Sequence, residues 1–339
     1  MSNILDSDFL IEVAKGNVAG HEIVQTVGRN PNVGKQFEDI WCGGSLYNFN
    51  YDAQTANFTA GLVLTGVTSG ATAVIVTDVD NGATGNLVVR KVNGLFQDNE
   101  IITDSSTGSA TADGIATKIK KAFLPTSGTA FEVVCESSDD AVAGVGATTL
   151  SINFMEESTR VYSTEPISLN GHTPVSFASS DGYRFRDATV VAHGSATNEV
   201  YGKTNTGTII IRDSVSKGII GVINYEDDIS GDEHGLNNSI NSNYTVEAGK
   251  TAYPIFITSN SSKNADVMSR GLAKFDGLDG WLSLGGNSVY QNSFIENVFA
   301  PAPLAEKTDF KAIGRSDNEG TLVIAQLIYL VIDNNLLNL

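Results

Sequence analysis

The chain of 339 residues is 41% hydrophobic and 18% charged, and its 39 acidic against 21 basic side chains leave a formal net charge of −18. That length admits two domains, or one large β domain with an insertion. The charge repels phosphate backbones and leaves no basic cluster for an anionic membrane, which argues against nucleic-acid and membrane-surface binding.

Cys42 and Cys135 are the only cysteines. They are too few for a disulfide framework or a cysteine zinc site, and read as reduced, buried thiols. The opening MSNILDSDFLIEVAKG has no basic region followed by a long apolar run, so no signal peptide is expected. No apolar run reaches the ~18 residues of a membrane span. The 34 glycines and the rich Thr, Val, Ile, Ser and Asn usage predict many turns and short pleated strands.

In chain order, residues 4–15 come first. Ile4, Leu5, Phe9, Leu10 and Val13 share one face at i, i+4 spacing, and Asp6 or Ser7 can cap a turn, which predicts a short helix. Glu12–Phe49 follows, Gly-punctuated and mostly polar. Its Ile23, Val24, Val27, Val33, Phe37, Ile40, Trp41, Tyr47 and Phe49 fit neither the helical nor the strand period for long. Such a segment cannot form its own core, so its apolar groups dock on the rest of the chain or on another subunit. The plain alternative is an irregular loop lying over its own domain.

Three motifs in this arm carry a resemblance. Gly16-Asn17-Val18-Ala19-Gly20, Gly28-Arg29-Asn30-Pro31 and Phe37-Glu38-Asp39-Ile40-Trp41-Cys42-Gly43-Gly44 resemble the opening of a group of tailed-bacteriophage virion structural proteins. The resemblance implies a component of the particle that binds the head shell, of the capsid cement or decoration type. On that reading residues 1–57 are an extended N-terminal arm plus the first strand of a parent domain, and Arg29, Asn30, Pro31, Phe37, Ile40 and Trp41 make subunit contacts. Phe37, Ile40 and Trp41 would be the apolar anchors, with Arg29 and Asn30 fixing the arm by hydrogen bonds.

From Phe58 the character changes. Leu62–Leu64, Ala73–Val76, Leu87–Val92, Glu100–Ile102 and Ile115–Ile119 read as strands between the turns Thr68-Ser69-Gly70, Asp80-Asn81-Gly82, Asn93-Gly94 and Thr107-Gly108. Asn-Gly between apolar runs is a strong hairpin signal. Residues 58–120 are therefore expected to form a small β-barrel or meander, near the lower size limit for an independent core. The segment FEVVCESSDDAVAGVGA, from Phe131, resembles one that follows soon after the arm in the same phage family. That resemblance implies that 58–120 is an insertion, with Tyr47–Tyr51 and Phe131–Cys135 both in the parent domain and the insert projecting outward from a loop tip.

Residues 121–339 read as the main domain, β to the end. The run LVIAQLIYLVID at 322–333 predicts a fully buried central strand. The closing hairpin resembles the last pieces of the phage family, where it completes a β-sandwich. The expected fold is thus all-β: a jelly-roll-like β-sandwich with an inserted small barrel or meander and an extended N-terminal arm.

The chemistry-bearing residues are sparse. His21, His172, His193 and His234 have no partner at ligand spacing, and no G-x-S-x-G elbow is present to activate a nucleophile. Asp78, Asp80 and Asn81 begin like a calcium loop, but the later ligands are missing. Glu226, Asp227, Asp228, Asp232 and Glu233 crowd one loop, which can recruit a cation or a basic partner surface, or stay a solvated acidic loop. No cofactor and no enzymatic activity are expected. The partners expected from the resemblance are the major capsid protein and further copies of the chain in a homotrimer, on the outer capsid surface. A tail-associated or fibre protein is the structural alternative, and a carbohydrate-binding or carbohydrate-active β-sandwich protein the alternative of another class.

Overall fold

The computed structural model describes residues 7–198, 202–227, 233–262, 266–290, 293–297 and 302–337. Strands dominate, and no described helix is long and apolar enough to cross a membrane. The chain divides into two compact units. Unit 1 is Met1–Trp41, Ser158–Tyr162 and Ile240–Leu339, and unit 2 is Cys42–Glu157 and Ser163–Ser239. The sequence suggested a single main domain over 121–339. Instead its first part folds with the barrel and its last part with the N-terminus.

Unit 1 is a β-sandwich. One sheet runs in the order His21–Val33, Thr321–Asp333, Lys250–Ser261, Ser293–Asn297. The other runs Glu38–Asp39, Asp309–Ser316, Asp266–Lys274, Leu282–Tyr290, with Tyr244–Thr245 also paired to Asp309–Ser316. The core between them takes Val24, Val33, Val323, Ala325, Leu327 and Tyr329 from the first sheet, and Ile40, Tyr244, Val267, Phe310 and Ala312 from the second. Tyr244 stacks on Tyr162 (6.2 Å between ring centres) and on Tyr329 (5.1 Å), and Phe310 meets Tyr329 edge-on. The helix Ser7–Ala14 lays Phe9 and Val13 over the other face of the first sheet, against Leu330 and Ile332.

Much of the arm is not extended over a neighbour but is a strand of this sandwich. His21 through Asn30 pair in continuous antiparallel register with Ile332 through Val323. Its inward residues are Val24, Thr26, Gly28 and Asn30. Because several of these are small or polar, the period-2 burial leaves no period-2 hydrophobicity, and the strand is hidden from sequence reading. Gly28 is required there, since an added Cβ would fall 2.2 Å from the Ile40 carbonyl oxygen. The register slips between Asn30 and Val33, a bulge that accommodates Pro31, which has no N–H to give the ladder. The run at 322–333 does occupy the centre of its sheet, but both its faces are buried only towards its end, where the helix covers Leu330 and Ile332.

Unit 2 holds a second sandwich and a closed barrel. The sandwich sheets are Val175–Ser176, Phe131–Cys135, Ile209–Asp213, Ile219–Ile223 and, facing them, Tyr162–Ser168, Ala147–Glu156, Gly182–His193. Phe131, Val133, Leu150, Ile152, Phe154, Phe185, Ile209 and Ile211 fill the space between. The barrel strands are Tyr47–Ala56, Gly85–Asn93, Thr72–Asp80, Val63–Gly66, Ile101–Asp104 and Ser109–Ala112. The first pairs with both Gly85–Asn93 and Ser109–Ala112, which closes six strands around Phe49, Tyr51, Leu64, Ile75, Leu87, Phe96 and Ile102. The module therefore starts at Tyr47 rather than 58. Without Tyr47–Ala56 two of its edges would stay unpaired.

The barrel is not a free projection either. Glu136, just beyond Phe131–Cys135, holds it through a buried ion pair, and Arg212, paired with Glu132 within the sandwich, adds a hydrogen bond. Arg90 of the barrel grips Glu136 with Nε at 2.9 and 3.0 Å and Nη2 at 2.7 Å, and the Thr208 N–H donates to the same carboxylate. Arg212 Nε lies 2.6 Å from Glu132 and its Nη1 reaches the barrel's Thr77 hydroxyl. Cys42 and Cys135 are free and buried.

Candidate functional site

The arm residues separate into two groups. Asn30, Ile40 and Trp41 are fully buried in unit 1. The Asn30 amide donates to the Asp39 carbonyl (2.9 Å) and its oxygen accepts from the Asn32 N–H (3.0 Å), which ties the bulge to Glu38–Asp39. Ile40 sits in the sandwich core and its N–H donates to Ala312. Trp41 forms a β-bridge with Asn241. The expectation that Ile40 and Trp41 anchor a neighbouring subunit is thus corrected: their apolar surface is already covered by their own chain, and the Asn30 amide serves its own backbone. Arg29, Pro31 and Phe37 remain half-exposed.

Phe37 is the centre of what is left at the surface. Glu38 pairs with Gly314 and Asp39 with Ile313, which brings Phe37 opposite Arg315. The next strand over is in register Met268↔Arg315 and Arg270↔Ile313. Alternation buries Val267, Ser269 and Gly271, and so turns Met268, Arg270 and Arg315 outward. Two guanidinium groups meet one ring as a result: the Arg270 carbon lies 4.9 Å and the Arg315 carbon 5.2 Å from the Phe37 ring centre. Each such contact is worth about 0.5–1 kcal/mol at an exposed site. The Glu38–Asp39 strand that presents Phe37 is itself pinned by a buried ion pair, Lys311 Nζ to Asp39 Oδ1 at 2.7 Å, with the same ammonium 4.6 Å from the Trp281 ring.

Beside this surface lies a cavity of about 560 Å³, lined by Lys35, Asp266, Val267, Met268, Arg315, Ser316 and Asp317. Its floor is fixed by backbone. Asp266 N–H donates to Asp317 Oδ1 (2.9 Å), Asp317 N–H to the Asp266 carbonyl, and Ser316 N–H to the Gly34 carbonyl. The volume falls in the range of small-ligand sites. Lys35, Met268, Arg270 and Arg315 are the residues that sequence reading missed. The alternation in VMSRG and KAIGRS was a usable signal for outward-facing cations, but which strands pair was not.

Other titratable groups serve the fold. Burial pushes the Asp140 carboxyl up to about 6, opposed by N–H groups of Thr206, Ala147 and Gly207 at 2.8–2.9 Å and by the Thr206 hydroxyl. Burial likewise lifts Asp78 to about 6, against the Tyr51 hydroxyl that donates to it at 2.9 Å. Asp80, which began the calcium-like run, accepts from the Gly82 N–H and shapes a hairpin turn. Among the described residues no three or more His, Cys, Asp or Glu side chains gather as a ligand set. The acidic loop becomes a hairpin in which Glu226 pairs with His234 and Asp227 with Glu233. Asp228 and Asp232 lie outside the described residues. His21 and His172 contact the carbonyls of Ala19 and Glu136.

No protein-family model matches this chain, and no curated protein matches it. Among solved structures it is similar to an infectious bursal disease virus VP2 subviral particle at 11% identity, over 93% of this chain and 73% of that one, with a TM-score of 0.18. It is also similar to T=1 particles derived from infectious bursal virus (9% identity, 94% and 71% covered, TM-score 0.18) and to the Gt strain of infectious bursal disease virus (10%, 93% and 73%, TM-score 0.18). At that TM-score the likeness supports no statement about what this chain does.

Proposed function

We propose that the chain is a structural protein of a virus particle, and more narrowly a cement protein on the outer head shell of a tailed bacteriophage. The N-terminal motifs support the virion assignment by resemblance. The observation that carries a docking role is Phe37, an arm residue kept half-exposed and flanked by Arg270 and Arg315 while its apolar neighbours Ile40 and Trp41 are spent inside. An aromatic side chain beside arginines is the composition of an interface hot spot. In this reading the Phe37 face meets the major capsid protein, and copies of the chain associate as a trimer over the seam they reinforce.

The test is co-sedimentation of purified protein with head shells stripped of it, for the wild type and for Phe37→Ala. The substitution removes surface rather than core, so folding is retained. Its binding should fall about tenfold or more. Unchanged binding would remove Phe37 as the anchor, and no binding by the wild type would remove the cement assignment.

A further inference from the structure

The cations around Phe37 gather on one face, with no carboxylate partner among the described residues. In a chain this acidic, the basic groups Lys15, Arg90, Arg186, Arg212, Lys217, Lys250 and Lys311 each meet a carboxylate. Among the described residues no ion pair joins Lys35, Arg270 or Arg315 to a carboxylate, although 39 acidic residues were available to supply one. Arg270 spends one Nη2 contact on the Met268 sulfur at 3.5 Å, and both arginines lean on Phe37. By these distances the two guanidinium carbons are at most about 10 Å apart, so one short ligand can reach both. A guanidinium resting on a ring keeps its fork of N–H donors for a carboxylate, which it binds in bidentate fashion.

We propose that this face captures an acidic segment of the partner subunit. Its carboxylates would pair with Lys35, Arg270 and Arg315, and an apolar side chain would pack on Phe37 and Met268. The cavity volume suits a few residues of such a segment. Asp266 and Asp317 on the cavity lining repel a continuous polyanion, which disfavours nucleic acid and favours discrete carboxylates oriented toward the cationic side. This inference rests on the reading of the Phe37 face as the docking surface, and names what that surface recognises.

The probe is a capped octapeptide of glutamates interrupted by leucines, titrated into the full chain against its glutamine counterpart and a short DNA duplex. Side-chain NMR of the arginine Nε–H groups reports the site. The glutamate peptide should bind saturably, shift Arg270 and Arg315, and weaken as salt is raised. The glutamine peptide should bind about tenfold or more weakly. Arg270→Glu with Arg315→Glu should lose binding, whereas Arg270→Lys with Arg315→Lys should keep a substantial part of it. Equal binding of the two peptides, wild-type binding by the charge-reversed variant, or tighter binding of the duplex would each overturn the proposal. Failure here is separable from failure of the docking reading. Shells bound by the wild type and the charge-reversed variant alike would sink the acidic-segment inference alone.

Discussion

Asp140 shows how a single carboxyl organises a region of unit 2. It is fully buried, and its oxygens collect N–H groups from Ala147 nearby and from the distant pair Thr206 and Gly207. Burial nevertheless raises its pKa from 3.8 to about 6, so the folded chain holds this proton more tightly than the unfolded chain does. Its contribution to stability is therefore complete below 3.8 and is lost as pH rises through about 6. Two pKa units correspond to at most ~3 kcal/mol. Urea unfolding of wild type and Asp140→Asn across this window should show the wild type losing stability relative to the variant as pH rises. Parallel curves would contradict the assignment. This carboxyl was invisible in the sequence, because nothing in ESSDD distinguishes Asp140 from its exposed neighbour Asp139.

At the scale of elements, the legible ones were those whose signal is local. The Asp80-Asn81-Gly82 turn and the strands beside it could be read because turn chemistry and β-branched runs act over a few residues. The helix at Ser7–Ala14 and the central strand ending at Asp333 were legible for the same reason. The strand His21–Val33 was not, since its buried positions include Thr26, Gly28 and Asn30. Tyr47–Ala56 was assigned to the wrong module, because barrel closure pairs it with a strand 61 residues away, Tyr51 with Ala112. Of the site, Phe37 was named from the sequence for its apolar bulk. Its arginine neighbours arrive only through long-range register. Gly28 supplies the check on the strand reading. Gly28→Val places a branched side chain against the Ile40 carbonyl and the Ser242 Cβ, and overpacking of this kind costs typically ~1–3 kcal/mol or more. Calorimetry should record a clear fall in Tm, and a wild-type melt would refute the close approach.

Over the whole molecule, the two units are each built from the same device, a sandwich of antiparallel sheets, with the barrel added to unit 2. What binds barrel to sandwich there is polar and buried: the Arg90–Glu136 ion pair, and the hydrogen bond to Thr77 from Arg212, which is itself paired with Glu132 inside the sandwich. Breaking one partner of such a pair costs ~3–5 kcal/mol, whereas replacing both by apolar groups is close to neutral. Arg90→Met should therefore destabilise unit 2 strongly, and Arg90→Met combined with Glu136→Leu should recover much of the loss. Hydrogen exchange can localise the effect. If Arg90→Met left protection in both the barrel and the sandwich unchanged, the ion pair would not be what couples them.

A cryo-EM map of the intact particle decides whether the chain occupies the head shell through its Phe37 face, as proposed. Density for the chain should appear at every repeating seam of the outer shell, with Phe37, Arg270 and Arg315 turned toward an acidic stretch of the major capsid protein. A few copies confined to the tail, or a shell-bound chain whose Phe37 face looks into solvent, would contradict it.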